Sequence, residues 1–244
     1  VSGERLLDVR GLVAGYDRVA VVHGVDLHVD AGEVVALLGP NGAGKTTTML
    51  AVSGLAARLG GEIEVLGATA PGRPGRVPRI SAVWRQARRG VAHVPEDRGL
   101  FFDLTAREHL RLGRPRRGPS VELDRLLGWF PALEPVLDRR AGLLSGGEQQ
   151  MLALARAVVG VPRLLLVDEL SLGLAPIIVE QLLPVLRSIA ADTGAGVLVV
   201  EQHVGLVLSI ADRAYLLSQG RVVADGTAAD LAARPELLEA GYLG

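Results

Sequence analysis

Residues 39–46 read Gly39-Pro40-Asn41-Gly42-Ala43-Gly44-Lys45-Thr46, which fits G-x-x-x-x-G-K-[ST]. The chemistry of that pattern is a grip on polyphosphate, and its parts have separate tasks. Glycines omit Cβ atoms, so backbone N–H groups can turn inward around phosphate oxygens. The helix that follows, with Thr47 in its first turn, aims its N-terminus at the same anion. Lys45 supplies a mobile point charge, and the Thr46 hydroxyl can ligate Mg²⁺. A glycine-rich turn that happens to precede a helix is the alternative. Against it, strand, loop and helix arrive in the order the motif needs. Lys45 is also the single lysine of the chain, every other cationic chain being Arg. A planar guanidinium does not substitute for an ammonium in such a loop.

Other polar groups stand at the ends of apolar runs. Residues 164–167 end in Asp168-Glu169, 197–200 in Glu201-Gln202-His203, and 91–94 in Pro95-Glu96. Acids at the carboxyl ends of strands in an open α/β sheet sit where ligands bind. Leu144-Ser145-Gly146-Gly147-Glu148-Gln149-Gln150 leads into an amphipathic helix through residue 159. Ser145 is a natural N-cap there, and two glycines let an anion approach the first N–H groups. Tyr16, in the turn 15–17, has two readings. It is a ring that stacks on an adenine, or a turn tyrosine without a ligand.

These groups need elements to hold them. The runs 34–38, 91–94, 164–167 and 197–200 read as buried strands. Residues 6–13 and 19–29 alternate and read as antiparallel strands, and 61–66 as a further short strand. The phosphate-loop helix runs to Ser53, with Gly54 as its stop. Residues 214–217 and 221–224 flank Gln219-Gly220 as a hairpin, and the tail from 228 reads as helix.

The stretch 69–89 holds Arg73, Arg76, Arg79, Arg85, Arg88 and Arg89. A solvated loop and helix face is preferred there over a basic patch for nucleic acid or lipid, because formal net charge is −1. Residues 97–160 read as mostly helical, with capping-box spacing at Thr105–Glu108. The Phe and Trp residues fall at 84, 101, 102, 129 and 130. They form either the core of a helical lobe or, for Phe101 and Phe102 beside Glu96, a docking groove.

At 244 residues, 49% hydrophobic and 22% charged, the chain suits one α/β domain or one with an inserted lobe. The absence of cysteine excludes disulfides and thiolate metal sites. Mean hydropathy is +0.32, yet no apolar run approaches the ~20 residues that span a bilayer. No secretory signal is expected from Val-Ser-Gly-Glu-Arg. The expectation is a cytoplasmic protein with an apolar surface, or with partners that cover it.

The phosphate loop, Leu-Ser-Gly-Gly-Glu-Gln-Gln at 144–150 and Leu-Leu-Leu-Val-Asp-Glu at 164–169, in that order, resemble the nucleotide-binding subunits of ABC transporters. The resemblance covers the whole chain, and the second motif is close to diagnostic. It implies a P-loop NTPase (RecA-like) core with an N-terminal antiparallel β subdomain and an inserted α-helical subdomain. The single domain 1–244 then divides into a core at 1–95 and 161–244 and a helical subdomain at 96–160. ATP and Mg²⁺ are the implied cofactors, and ATP hydrolysis the implied reaction. Position by position, Tyr16 matches the adenine-stacking aromatic, Asp168 the Mg²⁺-holding acid, and Glu169 the acid that polarises the attacking water. Ser145, Gly146 and Gly147, with Glu148 following, match the signature that contacts ATP bound to a second subunit. That implies a head-to-tail dimer.

Departures from the family pattern narrow the subfamily. Glu96 stands where a metal-sensing Gln is usual. Gln202 takes the switch position usually held by His in a gap-free register, and His203, one residue on, takes it if the register shifts locally; Glu169, Lys45, Gln202 and His203 are the candidate catalytic residues. Leu170 replaces the common Pro. Val94-Pro95-Glu96, Ser-Leu-Gly-Leu-Ala-Pro at 171–176, Val200-Glu201-Gln202 and Tyr242-Leu243-Gly244 together resemble the branched-chain amino acid importer ATPases. Urea and amide importers share these features, and an exporter ATPase is a same-class alternative. The implied partners are polytopic permease subunits, a second ATPase (the same chain or a related one) and, indirectly, a substrate-binding protein. The implied location is the cytoplasmic face of the membrane. A soluble ABC protein acting on DNA or ribosomes is disfavoured by the charge. A catalytically dead cassette is disfavoured by intact Lys45, Thr46, Asp168 and Glu169.

Overall fold

The computed structural model describes residues 3–70 and 75–243; Arg73 of the arginine-rich stretch and the terminal Gly244 lie outside the described residues. The alternating stretches pair as antiparallel β1 (Arg5–Tyr16) and β2 (Val19–Asp30). Asp17 and Arg18 join them, both at positive φ, a turn whose twist matches that of the strands. Next come β3 (Val34–Leu38), the phosphate loop and α1 (Lys45–Ser53). Gly54, at φ 81°, ends α1.

The strand expected at 61–66 begins earlier, as β4 (Ala57–Val65). In the fold Gly61 takes φ 75° at an irregularity in the β1–β4 register, where a Cβ would lie 2.2 Å from the Gly11 carbonyl oxygen. Pairing thus continues through the glycines. β5 (Ala68–Thr69) completes a four-stranded sheet ordered β2-β1-β4-β5.

After α2 (Ile80–Arg88) and β6 (Val91–Val94) the chain forms α3 (Ala106–Gly113), α4 (Leu123–Trp129) and α5 (Gly146–Val158). It then returns through β7 (Leu164–Val167), α6 (Pro176–Thr193), β8 (Gly196–Glu201) and α7 (Val204–Leu208). The hairpin β9 (Arg213–Ser218) and β10 (Arg221–Thr227) precedes α8 (Ala228–Ala232) and α9 (Pro235–Leu243). The expected tail helix is therefore two helices, because Pro235 lacks an N–H and fits only a first turn.

The second sheet runs β10-β9-β3-β8-β7-β6, with β9, β3, β8, β7 and β6 parallel. Its inner strands β3, β7 and β8 are buried along their whole length and apolar up to Glu201, because both faces are covered. Val34, Ala36, Leu38, Leu165, Val167, Val197 and Val199 face α5, α6 and the helical region. Val35, Leu37, Leu164, Leu166, Leu198 and Val200 face α1 and the β1–β2–β4 sheet. Ala106, Leu110, Leu126, Phe130 and Leu133 join the first of these cores. The helical region therefore packs onto the sheet rather than closing a core of its own.

The aromatic residues divide. Phe130 is buried, whereas Trp84, Phe101 and Phe102 are exposed, the two phenylalanines by 61% and 62%. A lobe core built from all five is therefore corrected. Arg88 covers Trp84 at 4.7 Å from the ring centroid, and Phe101 stacks on His109. Arg76, Arg79, Arg85, Arg88 and Arg89 are all solvent-exposed.

The capping box on α3 is complete. The Thr105 hydroxyl oxygen accepts from the Glu108 N–H, and the Glu108 carboxylate accepts from the Thr105 N–H. Thr105→Ala is expected to lower stability by about 1 kcal/mol in urea denaturation, with the far-ultraviolet circular dichroism of the folded protein at 25 °C unchanged.

Candidate functional site

Backbone shape makes the phosphate cradle. Gly39 takes φ 144°, and a Cβ there would lie 2.1 Å from the Leu217 carbonyl oxygen. Gly42 and Gly44 also have positive φ. The Ala43 N–H closes a turn onto the Pro40 carbonyl oxygen, and the Ala43 carbonyl oxygen accepts from Gly220 N–H at the β9–β10 tip. Asn41 and Gly42 are exposed at the apex. Helix α1 starts from Gly44 with no side-chain cap, unlike α3 and α5. Its first N–H groups, Thr46 and Thr47 included, are thereby left to an anion.

Lys45 is 3% exposed. Its Nζ donates to the Gly39 and Pro40 carbonyl oxygens at 2.9 and 3.0 Å and lies 3.9 Å from Glu169 Oε1. Burial pushes the ammonium pKa down, against the pull of Glu169, Asp168 and Glu201.

Parallel register carries the acids to the same edge. The Thr46 hydroxyl donates to Asp168 Oδ1 at 3.3 Å. Asp168 is buried, and desolvation pushes its pKa up to about 6. The Thr46 hydrogen bond opposes that shift, while the charges of Glu169 and Glu96 add to it. Glu169 sits at φ 44°, rare for a residue with a Cβ. Gln202 Nε2 donates to Glu169 Oε2 at 3.1 Å. His203 is exposed at the start of α7. The fold thus brings Gln202, and not His203, against Glu169. Glu96 is exposed, near enough for its charge to act on Asp168.

These groups fit Mg²⁺. Thr46 and Asp168 offer adjacent oxygen donors, and among the described residues no three His, Cys, Asp or Glu form a metal cage. An incomplete protein shell suits an ion that keeps waters and phosphate oxygens.

Sequence reasoning assigned no task to Glu201, Ser171 or the Tyr242 hydroxyl. Glu201 is fully buried and accepts from Ser171 N–H at 2.8 Å, Ser171 Oγ–H at 2.6 Å and Gln202 N–H at 3.1 Å. It ties the loop after Glu169 to the end of β8, next to Gln202. Burial raises its pKa and those hydrogen bonds lower it. An acid ending an all-apolar strand was its signal, the same one that marked Asp168. Tyr242 Oη accepts from the Gly39 N–H at 3.2 Å, a contact with no local signal across 203 residues. Leu170 is buried in the core.

Two predicted groups stand apart. Tyr16 ends β1 with its ring half exposed. Ser145 caps α5: its Oγ accepts from Glu148 N–H, and Glu148 Oε2 accepts from Ser145 N–H. The Ser145 O–H and the half-buried Gly146 and Gly147 remain open to an external partner. Among the described residues no hydrogen bond joins this signature to the phosphate loop, and Glu148 serves the cap.

The charge of Asp168 is costly to the fold without a bound cation. A buried acid whose pKa is raised from 3.8 to about 6 is stabilising when protonated. That advantage is present below pH 4 and lost as pH rises through 6. Asp168→Asn is therefore expected to raise the melting temperature of the Mg²⁺-free, nucleotide-free protein at pH 7.5. The gap should close toward pH 4 in thermal scans across that range.

The family model described as "ABC transporter" matches residues 22–171. The high-affinity branched-chain amino acid transport ATP-binding protein BraG of Pseudomonas aeruginosa is 40% identical over 232 residues, covering 94% of this chain and 95% of that one. The lipopolysaccharide export system ATP-binding protein LptB of Escherichia coli is 33% identical over 98% of this chain and 97% of its own. A solved structure described as an ATP binding subunit of an ABC transporter superposes with a TM-score of 0.79 at 34% identity, over 95% of this chain and 94% of that one. With the phosphate cradle, the paired acids and this likeness across nearly the whole chain, the protein belongs to the ABC transporter family as an ATP-hydrolysing, ATP-binding subunit.

Proposed function

We propose that this chain powers import of branched-chain amino acids, working as one half of a head-to-tail ATP-bound dimer. The observation that carries the substrate class is the 40% identity to BraG over 94% of the chain, together with the motifs at 94–96, 171–176 and 200–202. The region 96–160 acts as the helical subdomain and the remainder as the core.

The chemistry follows from the site. The loop 39–47, through N–H groups that include those of Thr46 and Thr47, and the Lys45 ammonium hold the β- and γ-phosphates of ATP, and the Tyr16 ring stacks on adenine. Thr46 and Asp168 hold Mg²⁺, which neutralises phosphate charge when bound, with Glu96 sensing the metal site. Glu169 takes the proton of the attacking water. Gln202, at 3.1 Å from Glu169, fixes that carboxylate, while His203 stands outside the reaction. Ser145, Gly146 and Gly147 of a second ATPase, identical or related, donate to the γ-phosphate and complete the site. ATP thus joins two chains and hydrolysis releases them.

Among the described residues no helix is long and apolar enough to cross a membrane. Separate polytopic subunits supply the pathway in this reading, fed by a substrate-binding protein. The chain then sits on the cytoplasmic face, with exposed Phe101 and Phe102 against the membrane subunit. The net charge of −1 gives no basis for nucleic acid as a partner.

Glu169→Gln is expected to lower hydrolysis by roughly 10²–10⁴-fold and to accumulate a dimer with Mg²⁺ and ATP in size-exclusion chromatography. A variant that stays monomeric would refute the dimer. Steady-state kinetics separate the two switch residues. Gln202→Ala should lower kcat by roughly 10–100-fold, the worth of a hydrogen bond to a charged group, and His203→Ala should leave it within about twofold. The transport assignment is tested by affinity purification from detergent-solubilised host membranes. Recovery of a polytopic subunit with an amino-acid-binding protein supports it. Recovery with a lipopolysaccharide-export apparatus or with ribosomes sinks it.

A further inference from the structure

Arg98 follows Glu96 by two residues and sits at φ 65°, with Gly99 at φ 57°. Two left-handed residues in succession suit glycine, so an arginine at the first carries a local backbone cost. Its side chain shows a use for that cost. Arg98 Nη1 donates to Gln149 Oε1 at 2.7 Å, and Nε donates to Gln150 Oε1 at 3.0 Å. Both glutamines lie in the first turns of α5, directly after Ser145-Gly146-Gly147-Glu148.

The Gln149 amide cannot turn away. Its Nε2 donates to the Ala141 and Leu144 carbonyl oxygens at 3.0 and 3.3 Å, which fixes Oε1 toward the guanidinium. Gln150 is 2% exposed. Further along the same helix, Arg156 Nη1 and Nη2 donate back to the Gly99 and Arg98 carbonyl oxygens at 2.6 and 3.1 Å. Backbone bonds extend the seam: Gly142 N–H to the Phe102 carbonyl oxygen, and Ala141 N–H to that of Leu104. Residues 98–104 and 141–150 are thus one mechanical unit. It carries the exposed phenylalanines at one end and the signature at the other.

We propose that Arg98 is a positioning residue that locks the segment after Glu96 to the N-terminus of α5, setting the signature at the angle at which it meets ATP held by a second chain. This deepens the dimer reading above and rests on it. The planar fork reaching two neutral amide oxygens makes the link directional, which a lone ammonium would not reproduce. Arg98 also touches none of the groups that hold the chain's own nucleotide.

The test uses Arg98→Gly in the Glu169→Gln background. Glycine suits the φ of residue 98, so the backbone is kept while the link is removed. Two quantities are read: the ATP concentration giving half-maximal dimer with Mg²⁺ in size-exclusion chromatography, and the affinity of dilute monomer for a fluorescent ATP analogue. The expected result is a requirement about tenfold higher for dimer, with monomer affinity within about twofold and the melting temperature maintained. Arg98→Lys should recover only part of the loss. Thr105→Ala, which destabilises neighbouring α3 without touching the link, should dimerise like the parent. Unchanged dimerisation of Arg98→Gly overturns the inference, as does an equal loss of monomer affinity. A Glu169→Gln parent that never dimerises overturns the dimer reading first, and the role of Arg98 with it.

Discussion

Both faces of the central parallel sheet are buried, and that constraint shapes everything polar in the molecule. β3, β6, β7 and β8 are covered on one side by α5 and α6 and on the other by α1 and the antiparallel sheet. Nothing charged can be carried along such strands without a desolvation cost. Chemistry is therefore confined to their carboxyl ends. Parallel register brings those ends to one edge, where the phosphate loop, Asp168, Glu169, Glu201 and Gln202 collect.

The edge is electrostatically unbalanced. One buried ammonium, Lys45, faces the carboxylates of Glu169, Asp168 and Glu201. Burial pushes the pKa of Asp168 up to about 6, so a cation beside it would offset the cost of its charge. The cradle has the opposite need, since α1 begins without a side-chain cap and its N–H groups want an anion. A magnesium–polyphosphate complex, the ligand proposed above, would answer both demands at once. The two halves of the site stand close enough for Thr46 to bond Asp168.

Around this edge the molecule divides into units tied by few but specific bonds. Glu201 holds the loop after Glu169 to β8 through Ser171. Tyr242 returns from the last helix to the Gly39 N–H. Arg98 and Arg156 fasten the segment after β6 to α5. The helical region has no separate core, so its attitude to the sheet is set by continuous apolar packing, with these polar links fixing the rest.

Local chemistry was legible in the sequence. The phosphate loop, the acids at strand ends, the cap at Ser145, the Gly54 stop and the apolar strands each follow from residue type over a few positions, because they are decided by backbone freedom, hydrogen-bond inventory and burial. The earlier start of β4 escaped because the irregularity at Gly61 depends on the neighbouring strand; the split of the C-terminal helices at Pro235 was a local signal that reading the tail as one helix passed over. The sequence left open whether Phe101 and Phe102 join a core or line an exposed groove, because composition does not say which aromatic the core has room for; the fold leaves both exposed. Whether Gln202 or His203 meets Glu169 was left open by the sequence. In the fold Gln202, just past the end of β8, reaches the carboxylate, and His203 is exposed to solvent. Contacts such as Arg98 to Gln149 and Tyr242 to Gly39 join residues far apart in the chain. No local propensity encodes them, and only the packed tertiary structure could bring their atoms together.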